Sequence, residues 1–402
     1  MKKLLMVLLL IVPALAYGEG YQINFQGARQ GGMGHTGTGL NFGASSIHFN
    51  PGALGLMESN IDFNFGGTAI LSNNTFQKRG SNYKHESDNP VGTPFFFYGA
   101  AKITDNLVAG LGVTTPFGNS LVWGDDWDGR YLIQDISLAA IFIQPTLSYK
   151  FNDNLSLGAG FIYAIGNVDL HKALPVQDSE PAQAEISGKT TSFGVNAGVF
   201  YKATQDLSFG LSYRSTITMK MDKGDASFKV PASLQGQFPN TTFKAELPMP
   251  GGIQLGTGWQ INDKLLLAAD LQYVLWSSYK ELNFDFEAES VPDSNNERNF
   301  ENTLIYRIGA EYTILPQLLV RVGFAYDPTP IPKGYLTPET PGANKLNYTL
   351  GLSYFFTDNI SLDLSLMYIK ANEREDGYAP ADFYGTYNSN AVLPGFGLNI
   401  KF

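Results

Sequence analysis

From about residue 60 onward, the chain reads as a ladder of segments in which apolar and polar positions alternate. Leu207, Phe209, Leu211 and Tyr213 take one side of a rung, and Ser208, Gly210, Ser212 and Arg214 the other. The last rung sets Phe396, Leu398, Ile400 and Phe402 against Gly395, Gly397, Asn399 and Lys401. Successive strand side chains point to opposite faces, so each rung predicts a β-strand with one apolar and one polar face. Such strands close into an outer-membrane barrel when lipid covers the apolar face and a polar lumen takes the other.

The connections alternate in length. Short turns are predicted at Thr104-Asp105-Asn106, Asn152-Asp153-Asn154, Thr204-Gln205-Asp206, Asn262-Asp263-Lys264, Leu315-Pro316-Gln317 and Thr357-Asp358-Asn359, all built from residues that favour tight turns. Longer polar loops fall near 72–92, 119–134, 171–185, 222–242, 287–300, 328–344 and 372–389. Six turns and seven loops join fourteen strands, and an even count returns both termini to the periplasmic side. The expected fold is therefore all-β, a 14-stranded antiparallel transmembrane β-barrel over residues 60–402.

The stretch before the ladder, residues 19–59, alternates poorly and is rich in glycine. It is too short for an ordinary separate domain, so it is expected to fold inside the barrel as an N-terminal plug (hatch). Ahead of it, Lys2 and Lys3 precede an apolar run from Leu4 to Val12 and the small-residue site Ala14-Leu15-Ala16. Residues 1–18 are accordingly expected to be a secretory signal peptide, cleaved after Ala16 or Gly18.

Composition narrows the picture by exclusion. After the first dozen residues no run approaches the roughly 18–20 apolar residues a spanning helix needs. With 43 glycines, 28 phenylalanines, 21 tyrosines and only 16% charged residues, the chain suits close-packed strands with aromatic girdles rather than disorder. The absence of cysteine removes disulfides and thiolate metal sites together. The net charge of -10, more negative once Lys2 and Lys3 are removed, disfavours nucleic acid and anionic lipid surfaces as partners.

Prolines mark where the barrel wall is expected to break. In a closed barrel every strand is central, and Pro116 leaves a neighbouring carbonyl unpaired. Pro145, in the next strand, lies at a similar height, so both are expected to flank one seam, with a gap between strands 3 and 4 or between strands 2 and 3. The competing reading is a bulge sealed by side chains. Pro248 and Pro250 are expected in the loop before Gly251.

Several motifs resemble a known family. The start Gly20-Tyr21-Gln22, the glycine-rich stretch Gly31 to Gly39 and Asn50-Pro51-Gly52 are similar to the plug of the FadL/TodX transporters of long-chain fatty acids and other hydrophobic compounds. Pro116-Phe117-Gly118, Asp125-Asp126-Trp127-Asp128-Gly129-Arg130-Tyr131, Tyr213-Arg214-Ser215, Trp276-Ser277, Tyr306-Arg307-Ile308-Gly309 and Asp327-Pro328-Thr329-Pro330 resemble its later segments. Gly52 departs from the alanine usual after Asn-Pro. The resemblance implies passive outer-membrane transport in a Gram-negative cell. Ligand is captured by the loops, bound beside the plug and released sideways at a third-strand kink, here Pro116-Phe117-Gly118. The strand ending at Phe402 looks like the C-terminal signal read by the barrel-assembly machinery.

Candidate chemistry is sparse. Phe42, Ile47 and Phe49 of the plug with Phe117 are expected to line an apolar ligand pocket. Arg214, Asp270, Arg307, Glu311, Arg321 and Asp363 face the lumen and are expected to pair with one another or with the plug. Any of Arg214, Arg307 and Arg321 is a candidate to meet a fatty carboxylate. Gly32-Met33-Gly34-His35-Thr36-Gly37 fits a dinucleotide motif, but no strand precedes it and no long helix follows, so it reads as tight backbone packing. Asp125, Asp126 and Asp128 lack regular calcium-loop spacing and are expected to pair with Arg130. His35, His48, His85 and His171 show no ligand spacing, so no metal, cofactor or catalytic residue is assigned. The alternatives are a barrel hydrolase acting on lipid or peptide, which would need a Ser-His or Asp-His constellation at the rim, and a surface adhesin or receptor using loops 1, 3 and 4.

Overall fold

The computed structural model describes residues 20–176 and 181–402; the signal-peptide assignment to 1–18 lies outside them. Fourteen antiparallel strands pair in chain order and close on themselves. They are β1 (Ile61–Thr68, continued by Leu71–Lys78), β2 (Phe95–Thr104), β3 (Leu107–Val122), β4 (Asp135–Asn152), β5 (Leu155–Ala173), β6 (Gln183–Lys202) and β7 (Leu207–Arg214, continued by Ile217–Lys229). There follow β8 (Thr241–Met249, continued by Gly252–Asn262), β9 (Leu265–Val274), β10 (Thr303–Leu315), β11 (Leu318–Asp327), β12 (Lys345–Thr357), β13 (Ile360–Ala371) and β14 (Phe383–Lys401). The register Phe63↔Ile400 and Phe65↔Leu398 zips β1 to β14 and abolishes the sheet edge.

The tight turns form for a local reason. Thr104, Thr204 and Thr357 accept backbone N–H bonds on Oγ1 from the residues two and three further on, as Asn152 and Asn262 do on Oδ1. The side chain replaces the missing ladder partner and the chain reverses. Outward positions stay apolar, as at Phe63, Phe97, Leu211, Leu255 and Leu350, with Tyr306, Tyr312, Tyr348 and Tyr354 at two levels of the wall. Among the described residues no helix is long and apolar enough to cross a membrane.

The extracellular strand ends run further than the alternation predicts. β1 reaches Lys78, β7 reaches Lys229 and β14 begins at Phe383, inside the expected loops, while β9 stops at Val274 and leaves a longer connection. Pro248 and Pro250 are not in a loop. Pro248 lies within β8 opposite Thr218, and Pro250 occupies the break where β8 bends. At that bend Gly251 lies against the backbone of Arg214 and Thr216, leaving no room for a side chain.

Residues 20–59 fill the lumen with short helices, α1 (Ala28–Gly31), α2 (Ser46–Phe49) and α3 (Pro51–Leu54). Asn50 caps α3 by accepting from Gly52 N (3.0 Å), and its amide nitrogen donates to the carbonyls of Thr38 (2.9 Å) and Val199 (3.0 Å). Gly52 lies flat on Gly198 of β6, where a Cβ would sit 2.7 Å from the carbonyl oxygen, so an alanine there would force the helix off the wall. The glycine motif does the same on the far side: Gly32 lies on Gly351, and Gly34 takes a left-handed φ of 68° against the backbone of β10 and β11.

Candidate functional site

The wall opens at β3. The β2–β3 ladder runs to the pair Phe96–Thr114, and Thr115 Oγ1 then bonds the backbone of Phe95. Contact resumes only where Asp88 donates to the Val122 carbonyl (2.9 Å) and Val122 to Asn89 Oδ1 (3.0 Å). Between these points the two edges turn opposite ways. On the β2 side Gly92 pairs with Ile70 and the Pro94 carbonyl accepts from Thr68, both toward β1. On the β3 side the Pro116 carbonyl accepts from Ile23 N (2.8 Å), and Gly118 N donates to the Tyr21 carbonyl (3.0 Å). The backbone groups freed by the kink are thus satisfied by the plug, as an apolar surround demands.

Of the two places expected for a gap, the structure has it between β2 and β3. The β3–β4 side carries only a bulge, where the register slips between Thr114 and Phe117. Pro145 flanks a different seam. It pairs with Leu111 on the β3 side, and the break in its ladder is toward β5, between Ile143–Tyr163 and Thr146–Gly160. Proline lacks only its N–H, so it disrupts one neighbour, here β5. Below the gap the β2–β3 ladder is continuous from Leu107 to Thr114, apart from a slip beside the turn.

Two cavities meet behind it. One, of about 450 Å³, lies against the gap and is lined by Ile70, Thr93, Pro94, Phe117, Gly118 and Ile369 among others. The other, about 120 Å³, lies beneath the extracellular loops and is walled by Met219, Met221, Phe243, Leu247, Leu282 and Phe284. Asn119, Leu138 and Thr340 line both. Tyr21 stands at the junction, 5.2 Å from the Trp276 ring and 6.1 Å from Phe117, with its hydroxyl donating to the Pro248 carbonyl.

The expected apolar ligand set is divided. Phe117 lines the gap cavity, and Phe49 lines a smaller chamber on its far side. Phe42 and Ile47 line neither. Phe42 lies under the Arg29 guanidinium (3.9 Å), and Ile47 packs on Gly110 and Gly112 of β3. Helical geometry turns Ile47 and Phe49 to different faces of α2, which a list of apolar residues does not register. The methionine and phenylalanine wall of the loop cavity was not among the sequence candidates; its trace is the alternation Ile217, Met219, Met221 within β7.

The lumen charges are tied down unequally. Arg321 Nε donates to Glu311 (2.6 Å) and its Nη1 to Asp363 (3.4 Å), and Arg29 reaches the same Glu311 (2.6 Å). Asp270 accepts from the backbone N–H groups of Gly37 (2.9 Å) and Thr38 (3.0 Å) in the plug. Arg307 donates to Asn24 (3.2 Å), and Arg214 to His48 Nδ1 (3.2 Å) and its carbonyl (3.0 Å). Arg321 is therefore committed to structural partners and is dropped as a ligand contact. Burial, with the Arg307 and Arg214 charges behind it, holds the plug histidines His35 and His48 well below the ordinary histidine range, so both are neutral.

At the rim, Asp128 pairs with Lys78 (3.9 Å) and His85 (3.4 Å) rather than Arg130, whose guanidinium lies over the Tyr131 ring at 4.6 Å. Trp127 of the same motif is fully buried among Phe76, Trp123 and Phe383 and ties the loop between β3 and β4 to the extracellular ends of β1 and β14. Buried Arg298 binds Glu339 at 2.6 Å; burial alone would lower it, but Glu339 and two tyrosines hold it above the ordinary arginine value. The scattered histidines are not all isolated, since His171 bonds Asp135 at 2.8 Å and gathers Asp169 and Glu185 around it. Asp169 is two residues away on the same strand, but Asp135 and Glu185 come from β4 and β6, which linear spacing could not reveal.

Comparison with known proteins agrees with this architecture. The family model described as outer membrane protein transport protein (OMPP1/FadL/TodX) matches residues 9–402. Outer membrane protein P1 of Haemophilus influenzae is 26% identical, covering 93% of this chain and 91% of that protein. The long-chain fatty acid transport protein of Salmonella typhi is 23% identical, covering 95% and 94%. The solved structure of a Pseudomonas aeruginosa FadL homologue superposes with a TM-score of 0.83 at 19% identity, over 95% of this chain and all of that one. With a matching family model along almost its whole length and a plugged, closed barrel broken at β3, the chain belongs to the OMPP1/FadL/TodX family of outer-membrane transport proteins.

Proposed function

We propose that this protein carries hydrophobic small molecules, long-chain fatty acids foremost, passively across the outer membrane. The substrate class is carried over from the relative named as a long-chain fatty acid transport protein. A ligand enters the cavity walled by Met219, Met221 and Phe243, whose flexible thioethers adapt to chains of different shape. It passes Tyr21 and Phe117 into the larger cavity and leaves between β2 and β3 into the outer leaflet. The ligand moves down its own concentration gradient, and the apolar walls lower the barrier by keeping its surface out of water on the way. Residues 19–59 act as the plug that denies water a straight path, residues 1–18 as the export signal, and the strand ending at Phe402 as the signal for barrel assembly.

The observation that carries this reading is the interrupted β2–β3 ladder with a cavity of about 450 Å³ behind it. Uptake of labelled oleate in a Gram-negative host lacking its own transporter tests it. The parent is compared with a variant in which Pro116→Val and Gly118→Val restore a strand-forming sequence. Uptake by the parent that falls at least about tenfold in a still-folded variant is the expected result. Equal uptake by both removes the lateral exit, and failure of the parent on oleate removes the substrate class.

A further inference from the structure

We infer that Asp169, His171 and Glu185 form a binding site for a divalent transition cation, zinc by its ligand chemistry, on the outer face of the barrel at its extracellular end. Strand pairing sets the geometry. Asp135 of β4 lies directly opposite His171 of β5, which lies opposite Glu185 of β6, and Asp169 is the next residue of β5 on the same face. Side chains so placed on adjacent strands start about 5 Å apart. Here one donor atom each from Asp169, His171 and Glu185 lies within 4.8 Å of the other two. Zinc bonds of about 2.0–2.2 Å put ligand atoms roughly 3.4 Å apart in a tetrahedron, so modest side-chain rotation closes the set on an ion. Lower on the same face Phe161, Ile165, Phe193 and Val195 are exposed on the lipid side, whereas Leu170 and Ile186, on the opposite face, line the loop cavity.

Three independent features favour a metal over a plain cluster of ion pairs. His171 Nδ1 lies 2.8 Å from Asp135 Oδ1. A carboxylate only accepts, so Nδ1 carries the ring proton and Nε2 of the neutral ring keeps its lone pair, facing Glu185 Oε2 at 3.8 Å. A carboxylate behind the ring is the arrangement that fixes the tautomer and aims a metal-binding imidazole. Next, Asp169 Oδ1 is shut off from solvent and accepts no hydrogen bond, although it lies 3.7 Å from the ring. A buried carboxylate oxygen ordinarily has a donor, and a coordinated cation takes that place. Finally, three carboxylates surround one imidazole, and among the described residues the one lysine or arginine paired with them is Lys229, 4.0 Å from Glu185. Like charges on adjacent strands repel, and a dication offsets that repulsion. Imidazole with carboxylate selects zinc-like ions over calcium and magnesium, which take oxygen ligands. Asp169 and Glu185 are partly exposed, which leaves the fourth position open to water. The ion joins β5 to β6 directly and β4 through Asp135, and so clamps the wall whose inner face bounds the loop cavity at Leu170 and Ile186.

The test titrates the full mature protein, free of any histidine tag and stripped of metal, with zinc chloride in detergent micelles, followed by calorimetry. One equivalent is expected to bind. Asp135→Ala, which removes only the acceptor that orients the ring, should weaken binding by about 10- to 100-fold, and His171→Ala by more. His85→Ala, at the other histidine of the rim, should leave it unchanged. A parent that binds no zinc overturns the inference, as does binding that His171→Ala leaves intact or that an equal concentration of calcium displaces. If the variants do not fold, Co²⁺ is added to the parent instead. An intense visible d–d band of four-coordinate cobalt supports the site, and its absence overturns it.

Discussion

Ile23 donates its backbone N–H to the Pro116 carbonyl at 2.8 Å, which makes the plug the missing neighbour of the kinked strand. A proline that breaks a membrane barrel is tolerated only if the carbonyls around it find donors elsewhere. Replacing Ile23 by proline removes the donor while keeping an extended backbone. Hydrogen exchange at Gly118, whose N–H is held by Tyr21 in the same short pairing, is then expected to speed up by a few-fold to about tenfold, the range for one lost net hydrogen bond. Peptide-level exchange over 112–121 measures it.

Asn50 joins three pieces of backbone, at Thr38, Gly52 and Val199. Asn50→Ala takes their side-chain partner from the Thr38 carbonyl and the Gly52 N–H and a second donor from the Val199 carbonyl, a loss on the order of 2–4 kcal/mol in plug stability. The barrel ladder does not depend on it. Raised single-channel conductance with unchanged heat-modifiable gel migration is the expected pair of observations.

Arg321 sits between Glu311 and Asp363 with a fully buried side chain. Removing one member of a buried ionic cluster strands the others, and Arg321→Met should destabilise the barrel by about 3–5 kcal/mol. A double variant that also carries Asp363→Leu should recover part of that loss. Urea unfolding in detergent micelles, followed by tryptophan fluorescence, measures both.

Acid should loosen the plug. His35 and His48 are held neutral when folded, their proton affinity lowered by burial and then by nearby arginines. The unfolded plug binds protons at an ordinary histidine pKa of about 6.5, so the contribution is whole above that pH and is lost as pH falls below it. Each histidine costs up to about 1.4 kcal/mol per pH unit there. Exchange of peptides from residues 30–50 should accelerate between pH 7 and pH 5, and less so in His48→Asn.

The strand count was legible because lipid on one side and a wet lumen on the other write a period of two into the chain, and because threonine and asparagine turn residues close the hairpins through their own side chains. The kink was legible at Pro116 for a similarly local reason. Which neighbour it would abandon was not: a missing N–H says only that one side is broken, and the side depends on register and on where Tyr21–Ile23 comes to lie. Pro145 was misplaced for the same reason. The lumen charges were on the right face by parity, yet their fates diverged, with Arg321 locked between two carboxylates and Arg214 left facing a chamber.

By itself, then, the sequence determined the closed fourteen-stranded wall, its plug and the position of its weak point, all set by interactions between residues close in the chain or by the medium each side chain faces. The tertiary structure alone decided the break between β2 and β3, the methionine-walled cavity beneath the loops, and the approach of Asp135 and Glu185 to His171. Each of these joins residues distant in sequence across strands or between plug and wall, and periodicity carries no record of such partners.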